Sequence, residues 1–178
     1  MSLKRSIFRL TADYKIKNFD CGDSDLNEFF YQDAFNYTEQ LLAVTYVVET
    51  KVKTMGFFSV ANDKIQILEN KSIWNRLNRN IQNVKRRRAY PAVKLGRLGI
   101  DKEWQSQNVG TELLGYIKEF FLQNNKTGCR FITVDAYNNS ATTSFYQKNG
   151  FAFFLTQDTQ EKTRLMFYDL MLYKNANV

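Results

Sequence analysis

Apolar positions along this chain follow two different periods, and the change of period predicts its elements. From Leu26 to Tyr37, and again from Val109 to Phe121, apolar residues recur every three to four positions, which is typical of amphipathic helices. Shorter stretches rich in Val, Thr, Tyr and Phe, bounded by polar turns, predict strands. We place the strands at residues 6–17, 42–49, 55–60, 94–100, 130–135, 151–155 and 165–173.

The order of these elements indicates the fold class. A strand, a helix, three strands, a helix, a strand, a helix and two strands predict an α/β (α+β) domain, with a mixed central sheet of six to seven strands flanked by helices. A chain of 178 residues, 44% of them apolar, is long enough for one domain with a full core. We therefore expect a single domain over residues 1–178, carrying an insertion at about 63–90 with a short helix at 72–81.

Composition excludes several classes of function. The chain contains no histidine, which removes Ser-His-Asp hydrolysis, Cys-His proteolysis and histidine-ligated metal chemistry. Cys21 and Cys129 are far apart and form no CxxC pair, so neither a disulfide framework nor a zinc site is indicated, and we expect no metal. No stretch approaches the roughly eighteen apolar residues of a membrane span, and the N-terminus lacks a signal-peptide core. We expect a cytoplasmic protein without a membrane partner.

Residues 105–111, which we call the diphosphate loop, run from an apolar strand directly into the second amphipathic helix. The first N–H groups of a helix have no intrahelical acceptor, and the peptide dipoles place roughly half a positive charge there. An anionic diphosphate can therefore bind such a loop largely through the backbone. An ordinary strand-loop-helix connection with one glycine would have the same local pattern.

A second strand-and-helix element follows about thirty residues later. It consists of the strand at 130–135, then Asn139, a short helix, and the run from Phe145 to Phe151. Asn139 is placed to cap that helix. Gly150 is predicted to be the left-handed residue that ends it.

Together, these two elements resemble the GNAT family of acetyl-coenzyme A-dependent N-acetyltransferases. The family loop is usually written Gln/Arg-x-x-Gly-x-Gly/Ala, and Gln105 and Gly110 fall on its first and last positions. Asn108 occupies the middle glycine position, and asparagine tolerates positive φ better than most residues. The resemblance covers most of the chain, from about residue 19 to 173, and implies the GNAT fold.

The resemblance also implies the site residues and the co-substrate, acetyl-CoA. Tyr146 would be the catalytic general acid, although a packing aromatic is the alternative in a chain with ten tyrosines. The cofactor's diphosphate would lie on the loop amides and its pantetheine arm beside the preceding strand, while Asn139 would contact the arm or only cap its helix. The implied cofactor-binding residues are Leu98, Gly99, Ile100, Gln105, Gln107, Asn108, Val109, Gly110, Thr111 and Asn139. Asp135 and Glu103 lie near the expected cleft, but neither is assigned as a general base.

The positive charge of the chain is concentrated in one window. Residues 70–100 contain nine Lys or Arg and no Asp or Glu, whereas the rest carries 16 basic and 18 acidic residues, a net of −2. The window could be a solvated surface, a site for the cofactor's 3′-phosphate or an acidic protein, or an RNA-binding segment. The nucleic-acid-binding candidates are Lys85, Arg86, Arg87 and Arg88.

The N-terminal run Phe19-Asp20-Cys21-Gly22, followed by Leu26, looks like the GNAT subgroup of toxin-antitoxin systems. Those toxins acetylate the amino group of aminoacyl-tRNA, act opposite an antitoxin protein and are commonly dimers. We therefore expect an N-acetyltransferase that transfers acetyl directly to a primary amine in a ternary complex. The alternatives are a toxin-type enzyme acting on aminoacyl-tRNA, with tRNA, an antitoxin and a second copy as partners, and a catalytically weak coenzyme A-binding interaction module.

Overall fold

The computed structural model describes residues 7–66, 75, 81, 89–125, 127–155 and 159–176. The chain begins with strand β1 and a helical segment made of α1, a π-helical turn and α2. Three strands, a helix, a strand, a helix, two strands and a last helix follow. The elements are β1 (Ile7–Arg9), α1 (Ser24–Glu28), the π turn (Phe29–Asp33), α2 (Ala34–Glu39), β2 (Val44–Glu49), β3 (Thr54–Gln66), β4 (Ala89–Ile100), α3 (Val109–Leu122), β5 (Phe131–Tyr137), α4 (Ser140–Lys148), β6 (Ala152–Phe153), β7 (Thr163–Asp169) and α5 (Leu170–Ala176).

The strands form one seven-stranded sheet in the order β1-β2-β3-β4-β5-β7-β6. Strands β4 and β5 pair in parallel, and the β1–β2, β2–β3, β5–β7 and β6–β7 pairs are antiparallel. This arrangement confirms the predicted α/β class and the mixed sheet. The β4–β5 register runs from Ala92 opposite Phe131 to Lys94 opposite Thr133, while β4 itself continues to Ile100.

The chain divides into two compact units, Met1–Ala61 with Leu95–Phe120 and Asn62–Lys94 with Phe121–Val178. The core of the first unit is built around Phe57, which is fully buried and stacks on Phe30 with ring centroids 4.6 Å apart. Phe57 lies opposite Val47 across the β2–β3 pair, so the two side chains lie on the same face of the sheet. The buried members of this core are Leu10, Phe19, Phe29, Phe30, Ala34, Val47 and Phe57.

In the second unit, helix α4 ends as the sequence predicts. Gly150 has φ +83°, the left-handed conformation expected of a helix-ending glycine, and its N–H donates to the carbonyl of Gln147 at 2.9 Å. A Cβ at position 150 would lie 2.9 Å from the Tyr168 ring. The second unit also has its own apolar core, whose buried members are Ile65, Tyr90, Ala92, Phe131, Phe154 and Phe167.

Several predicted boundaries are wrong. The strand expected at 6–17 covers only Ile7–Arg9, because the chain turns where the Tyr14 N–H donates to the Thr11 carbonyl. The strand expected at 165–173 ends at Asp169 and is followed by α5, since the Asp169 carboxylate accepts the Met171 N–H and so caps a helix.

The two strands flanking the insertion are longer than predicted, reaching Gln66 in β3 and starting at Ala89 in β4. The predicted insertion at 63–90 is correspondingly shorter at both ends. The helix expected at 72–81 and the basic residues Lys85, Arg86, Arg87 and Arg88 lie outside the described residues, apart from positions 75 and 81. Within the part of the chain that the structure describes, no helix has the length and apolar character needed to span a bilayer.

Candidate active site

The diphosphate loop has the backbone conformation that its sequence suggests. After β4, a short turn at Lys102–Trp104 leads to Gln105, and two non-glycine residues then adopt left-handed φ, +60° at Ser106 and +62° at Asn108. The expectation that Asn108 tolerates positive φ at a glycine position is confirmed. Left-handed residues within a loop are the backbone pattern from which anion-binding concavities are made.

Helix α3 fixes the end of this loop. Its first hydrogen bond joins the Glu112 N–H to the Asn108 carbonyl at 2.9 Å, so the helix starts immediately after the second left-handed residue. The helix is anchored by a buried apolar face that includes Leu113, Leu114 and Ile117, each almost fully inaccessible. A helix of 14 residues held in this way keeps the positive end of its dipole at the loop.

The two glutamines of the loop direct their side-chain amides to the chain itself. Gln105 Nε2 donates to the carbonyls of Cys21 and Ile100, both at 2.8 Å. Gln107 Nε2 donates to the Glu103 carbonyl at 2.6 Å. These side chains hold the loop in its fold, so a cofactor-binding role for either residue would rest on its backbone.

Asp101 is a residue of this region that sequence reasoning missed. It follows β4, is 1% exposed, and its carboxylate accepts bonds from the Asp20 N–H at 2.9 Å, the Glu103 N–H at 3.0 Å and Lys53 Nζ at 3.0 Å. Burial alone would raise the pKa of Asp101, but the bonds from Asp20 and Lys53 hold that pKa below its usual value. The only sign of this role in the sequence is that an acidic residue directly follows an apolar strand.

In the second unit, Asn139 is the N-cap of α4. Its Oδ1 accepts the Thr142 N–H at 2.8 Å, and its carbonyl accepts the Thr143 hydroxyl at 2.8 Å. The capping role expected from the sequence is therefore confirmed. Contact between Asn139 and a cofactor arm stays a prediction.

Tyr146 lies on α4 and is 6% exposed. Its ring packs edge-on against Phe145 and Phe151, with centroids 5.2 and 5.3 Å away. Burial raises the pKa of Tyr146 above the ordinary range of a phenol, because the phenolate would lose its hydration. At neutral pH this phenol therefore carries its proton.

The two carboxylates considered near the cleft are both in ion pairs. Asp135 on β5 pairs with Lys94, and Glu103 pairs with Lys53 at 2.9 Å. Neighbouring Asp63 accepts a hydrogen bond from the hydroxyl of buried Thr133. The geometry singles out neither carboxylate as a general base, and no group of His, Cys, Asp and Glu among the described residues is arranged to hold a metal ion.

A mixed sheet and a left-handed loop before a long helix are the arrangement that the resemblance to acetyltransferases implies. The family model of the acetyltransferase (GNAT) domain matches residues 43–152. The chain belongs to the GNAT family of acetyltransferases and is therefore an enzyme of the acyltransferase class. The resemblance inferred from Gln105, Gly110 and Tyr146 is confirmed at the level of the family.

Several solved structures share the fold over nearly the whole chain. AtaTR bound with AcCoA is 22% identical, covers 97% of this chain and 97% of its own, and has a TM-score of 0.75. AtaT complexed with acetyl-methionyl-tRNAfMet is 22% identical, covers 97% and 98%, and has a TM-score of 0.76. A mutant of the AtaT toxin bound to the C-terminus of the antitoxin AtaR is 19% identical, covers 97% and 96%, and has a TM-score of 0.75. At these identities the likeness establishes the fold.

Proposed function

We propose that this protein is an acetyl-CoA-dependent N-acetyltransferase that acetylates a primary amine by direct transfer in a ternary complex. The observation that carries the proposal is the diphosphate loop, in which Ser106 and Asn108 are left-handed and α3 begins at once. The backbone N–H groups of residues 107–111 suit a diphosphate. Acetyl-CoA supplies the activated acetyl group as a thioester.

The pantetheine arm is assigned to the end of β4. The register of β4 with β5 stops at Lys94, whereas the strand continues through Leu98, Gly99 and Ile100. Extended backbone of this kind can pair with an amide-containing ligand as though with another strand. Asn139 is proposed to contact the same arm with the part of its side chain not used in capping.

Tyr146 is proposed as the general acid. The acceptor nitrogen attacks the thioester carbonyl and the carbon–sulfur bond breaks. The phenol donates its proton to the departing thiolate and regains a proton from water, while the amine releases its own proton to water. A thiol has a pKa near 8.5 and a phenol has a pKa near 10, so the thiolate is a weaker base than the phenolate. A strong hydrogen bond from the phenol to the thiolate is therefore favoured before the proton is fully transferred. A positioned acid typically contributes about 10²- to 10⁴-fold.

The second candidate is a narrower activity, acetylation of the amino group of aminoacyl-tRNA in the cytoplasm. Two observations favour it: the shared fold with AtaT, which has been solved with acetyl-methionyl-tRNAfMet, and the nine basic residues within positions 70–100. An antitoxin protein and a second copy of the chain are the partners proposed with it, because AtaT has been solved with AtaR. Phosphate contacts from the basic window would make binding strongly salt-dependent.

Transfer of radiolabelled acetyl from acetyl-CoA to charged tRNA, mixed peptides and polyamines tests both candidates. We expect label in at least one pool. Label in charged tRNA that falls when Arg86, Arg87 and Arg88 are changed to Gln supports the tRNA activity. The matched control changes Lys15, Lys64 and Lys174, all exposed and outside the window, to Gln.

The other outcomes separate the candidates. Label confined to peptides or polyamines would overturn the tRNA candidate and keep the general N-acetyltransferase. Acetyl-CoA binding without label in any pool would instead support a coenzyme A-binding interaction module. Absence of acetyl-CoA binding would overturn the proposal as a whole.

A further inference from the structure

A short N-terminal turn, residues 20–22, is bound tightly to the segment that leads into the diphosphate loop. The Lys102 N–H donates to the Asp20 carbonyl at 2.9 Å, and Lys102 Nζ donates to the Asp20 carboxylate at 2.8 Å. Gln105 Nε2 reaches the Cys21 carbonyl at 2.8 Å. Chain segments about eighty residues apart in sequence are thereby joined by both backbone and side-chain hydrogen bonds.

Asp101 lies at the centre of this connection. Its Oδ2 accepts the Asp20 N–H, while its Oδ1 accepts the Glu103 N–H and Lys53 Nζ. Its own carbonyl accepts the N–H groups of Trp104 and Gln105 at 2.8 and 3.1 Å. Asp101 is 1% exposed, and burying a carboxylate to this extent costs free energy. Hydrogen-bond donors from three chain segments offset that cost.

The 20–22 turn is itself rigid. The Asp20 Oδ1 accepts both the Gly22 N–H and Asn27 Nδ2 at 2.8 Å. Gly22 is left-handed, at φ +84°, and a Cβ there would lie 2.8 Å from the Lys102 Cε. The turn therefore presents a fixed surface to Lys102 and Gln105.

The hydrogen bonds from Asp101 and the 20–22 turn matter because the backbone conformation of the diphosphate loop is energetically unfavourable in isolation. Two non-glycine residues at positive φ, Ser106 and Asn108, persist only where the surroundings over-determine the backbone. Gln105 immediately precedes Ser106, and its backbone and side chain are held by Asp101, Ile100 and Cys21. The conformation of the loop is thus fixed from the N-terminal side by Asp101 and the 20–22 turn.

We propose that Asp101 is a positioning residue for the diphosphate loop and that residues 20–22 are the scaffold through which it acts. Its role is to pre-organise the loop N–H groups for the diphosphate of acetyl-CoA, without touching the ligand. A pre-organised loop has less conformational freedom to lose on binding, so its affinity for the anion is higher. The inference rests on the proposed function, because it concerns the same loop.

Asp101→Asn tests the role with two acetyl donors that differ only beyond the pantetheine arm, acetyl-CoA and acetyl-pantetheine. Removing a charge-assisted hydrogen bond should raise the KM and Kd for acetyl-CoA about tenfold. The KM for acetyl-pantetheine, which has no diphosphate, should not change, and kcat at saturating acetyl-CoA should not change either. A merely structural role would lower activity with both donors equally.

The matched control is Asp169→Asn, which removes another buried carboxylate, one that is 6% exposed and bonded to Arg130. It should lower thermal stability while leaving the Kd for acetyl-CoA unchanged. Lys102→Met is a second test variant with an exposed side chain, for which we expect an increase of about two- to fivefold in the Kd for acetyl-CoA. Lys102→Arg should restore the affinity.

The outcomes distinguish this inference from the proposed function. If the wild type does not bind acetyl-CoA, the proposed function fails and this inference fails with it. If the wild type binds and both Asp101→Asn and Lys102→Met bind equally well, only the positioning role is overturned. If Asp101→Asn does not fold, Asp20→Asn decides the question: it weakens the same bond to Lys102 but removes a negative charge, so weaker acetyl-CoA binding would come from lost positioning and not from charge.

Discussion

Tyr146 and Phe151 are joined through both backbone and side chain. The Phe151 N–H donates to the Tyr146 carbonyl at 3.0 Å, and the two rings meet edge-on, with centroids 5.3 Å apart and planes at 66°. The left-handed Gly150 turns the chain so that both contacts can form. The Tyr-x-x-x-Gly-Phe pattern is therefore a packing unit that holds the phenol in one place.

Because burial raises the pKa of Tyr146, the phenol stays protonated over the whole working range of the enzyme. We predict that kcat, measured at saturating substrates from pH about 6 to about 10, shows no loss caused by deprotonation of Tyr146, whereas an unperturbed tyrosine would be half deprotonated near pH 10. A descending limb centred at or below about pH 10 that disappears from the residual activity of Tyr146→Phe would contradict the raised pKa.

The left-handed residues of the diphosphate loop offer a second prediction. Asn108→Gly removes the cost of positive φ in the folded state but adds freedom to the unfolded chain, so stability should change by less than about 1 kcal/mol. The Kd for acetyl-CoA from calorimetry should be unchanged or lower. Ser106→Gly is the matched comparison at the other left-handed position. A clear loss of affinity confined to Asn108→Gly would mean that the asparagine side chain itself contacts the ligand.

The aromatic core of the first unit should carry much of its stability. Phe57 is fully buried and packs against the rings of Phe19, Phe29 and Phe30. Phe57→Ala should lower the free energy of unfolding by about 3–5 kcal/mol, through lost burial and the cavity that remains. Phe8→Ala, at a side chain that is 47% exposed, should cost less than about 1 kcal/mol. Urea denaturation of both variants measures the contrast, and equal losses would contradict the assignment of the core.

Lys118 on α3 is 7% exposed, and burial lowers its pKa to about 8. In the unfolded chain it titrates near 10.4, so between pH 8 and 10.4 the unfolded state binds more protons at this lysine, and the contribution of Lys118 to stability rises with pH. Below pH 8 the cost of burying the charged lysine is fully present. The difference in stability between Lys118→Met and the wild type should therefore move in favour of the variant by about 3 kcal/mol from pH 10 to pH 7.

Denaturant unfolding at pH 7 and pH 10 measures that difference, and the titrations of other groups cancel between the two proteins. The control is Lys174→Met, which removes an exposed lysine of α5. A gain for Lys118→Met that is the same at both pH values would show that the effect comes from packing and not from titration.

Local patterns in the sequence were sufficient for the elements that position the site. The first helix has its N-cap at Asp23, whose Oδ1 accepts the Leu26 N–H at 3.0 Å, and aspartate is a preferred residue at that position. Gly150 and Asn139 also take the conformation and the capping role expected of them. Each of these features depends on residues within four positions, so single-sequence reasoning can recognise it.

The missed features depend on partners far away in the sequence. The strand after residue 163 ends at Asp169, whose carboxylate is held by Arg130, and the continuous apolar run around it does not reveal the boundary. β3 continues past its predicted end at residue 60 to Gln66, and within that extension the Asp63 carboxylate accepts a hydrogen bond from the distant Thr133 hydroxyl. Asp101 was missed for the same reason, since its donors include Asp20 and Lys53.

The most direct test of the central claim compares Tyr146→Phe with the wild type on the best acceptor pool, by single-turnover transfer of labelled acetyl together with calorimetric titration of acetyl-CoA. We predict equal acetyl-CoA affinity and transfer slowed by about 10²-fold or more, because only the proposed proton donor is removed. Equal transfer rates in the two proteins, or a wild type that does not bind acetyl-CoA, would contradict the account.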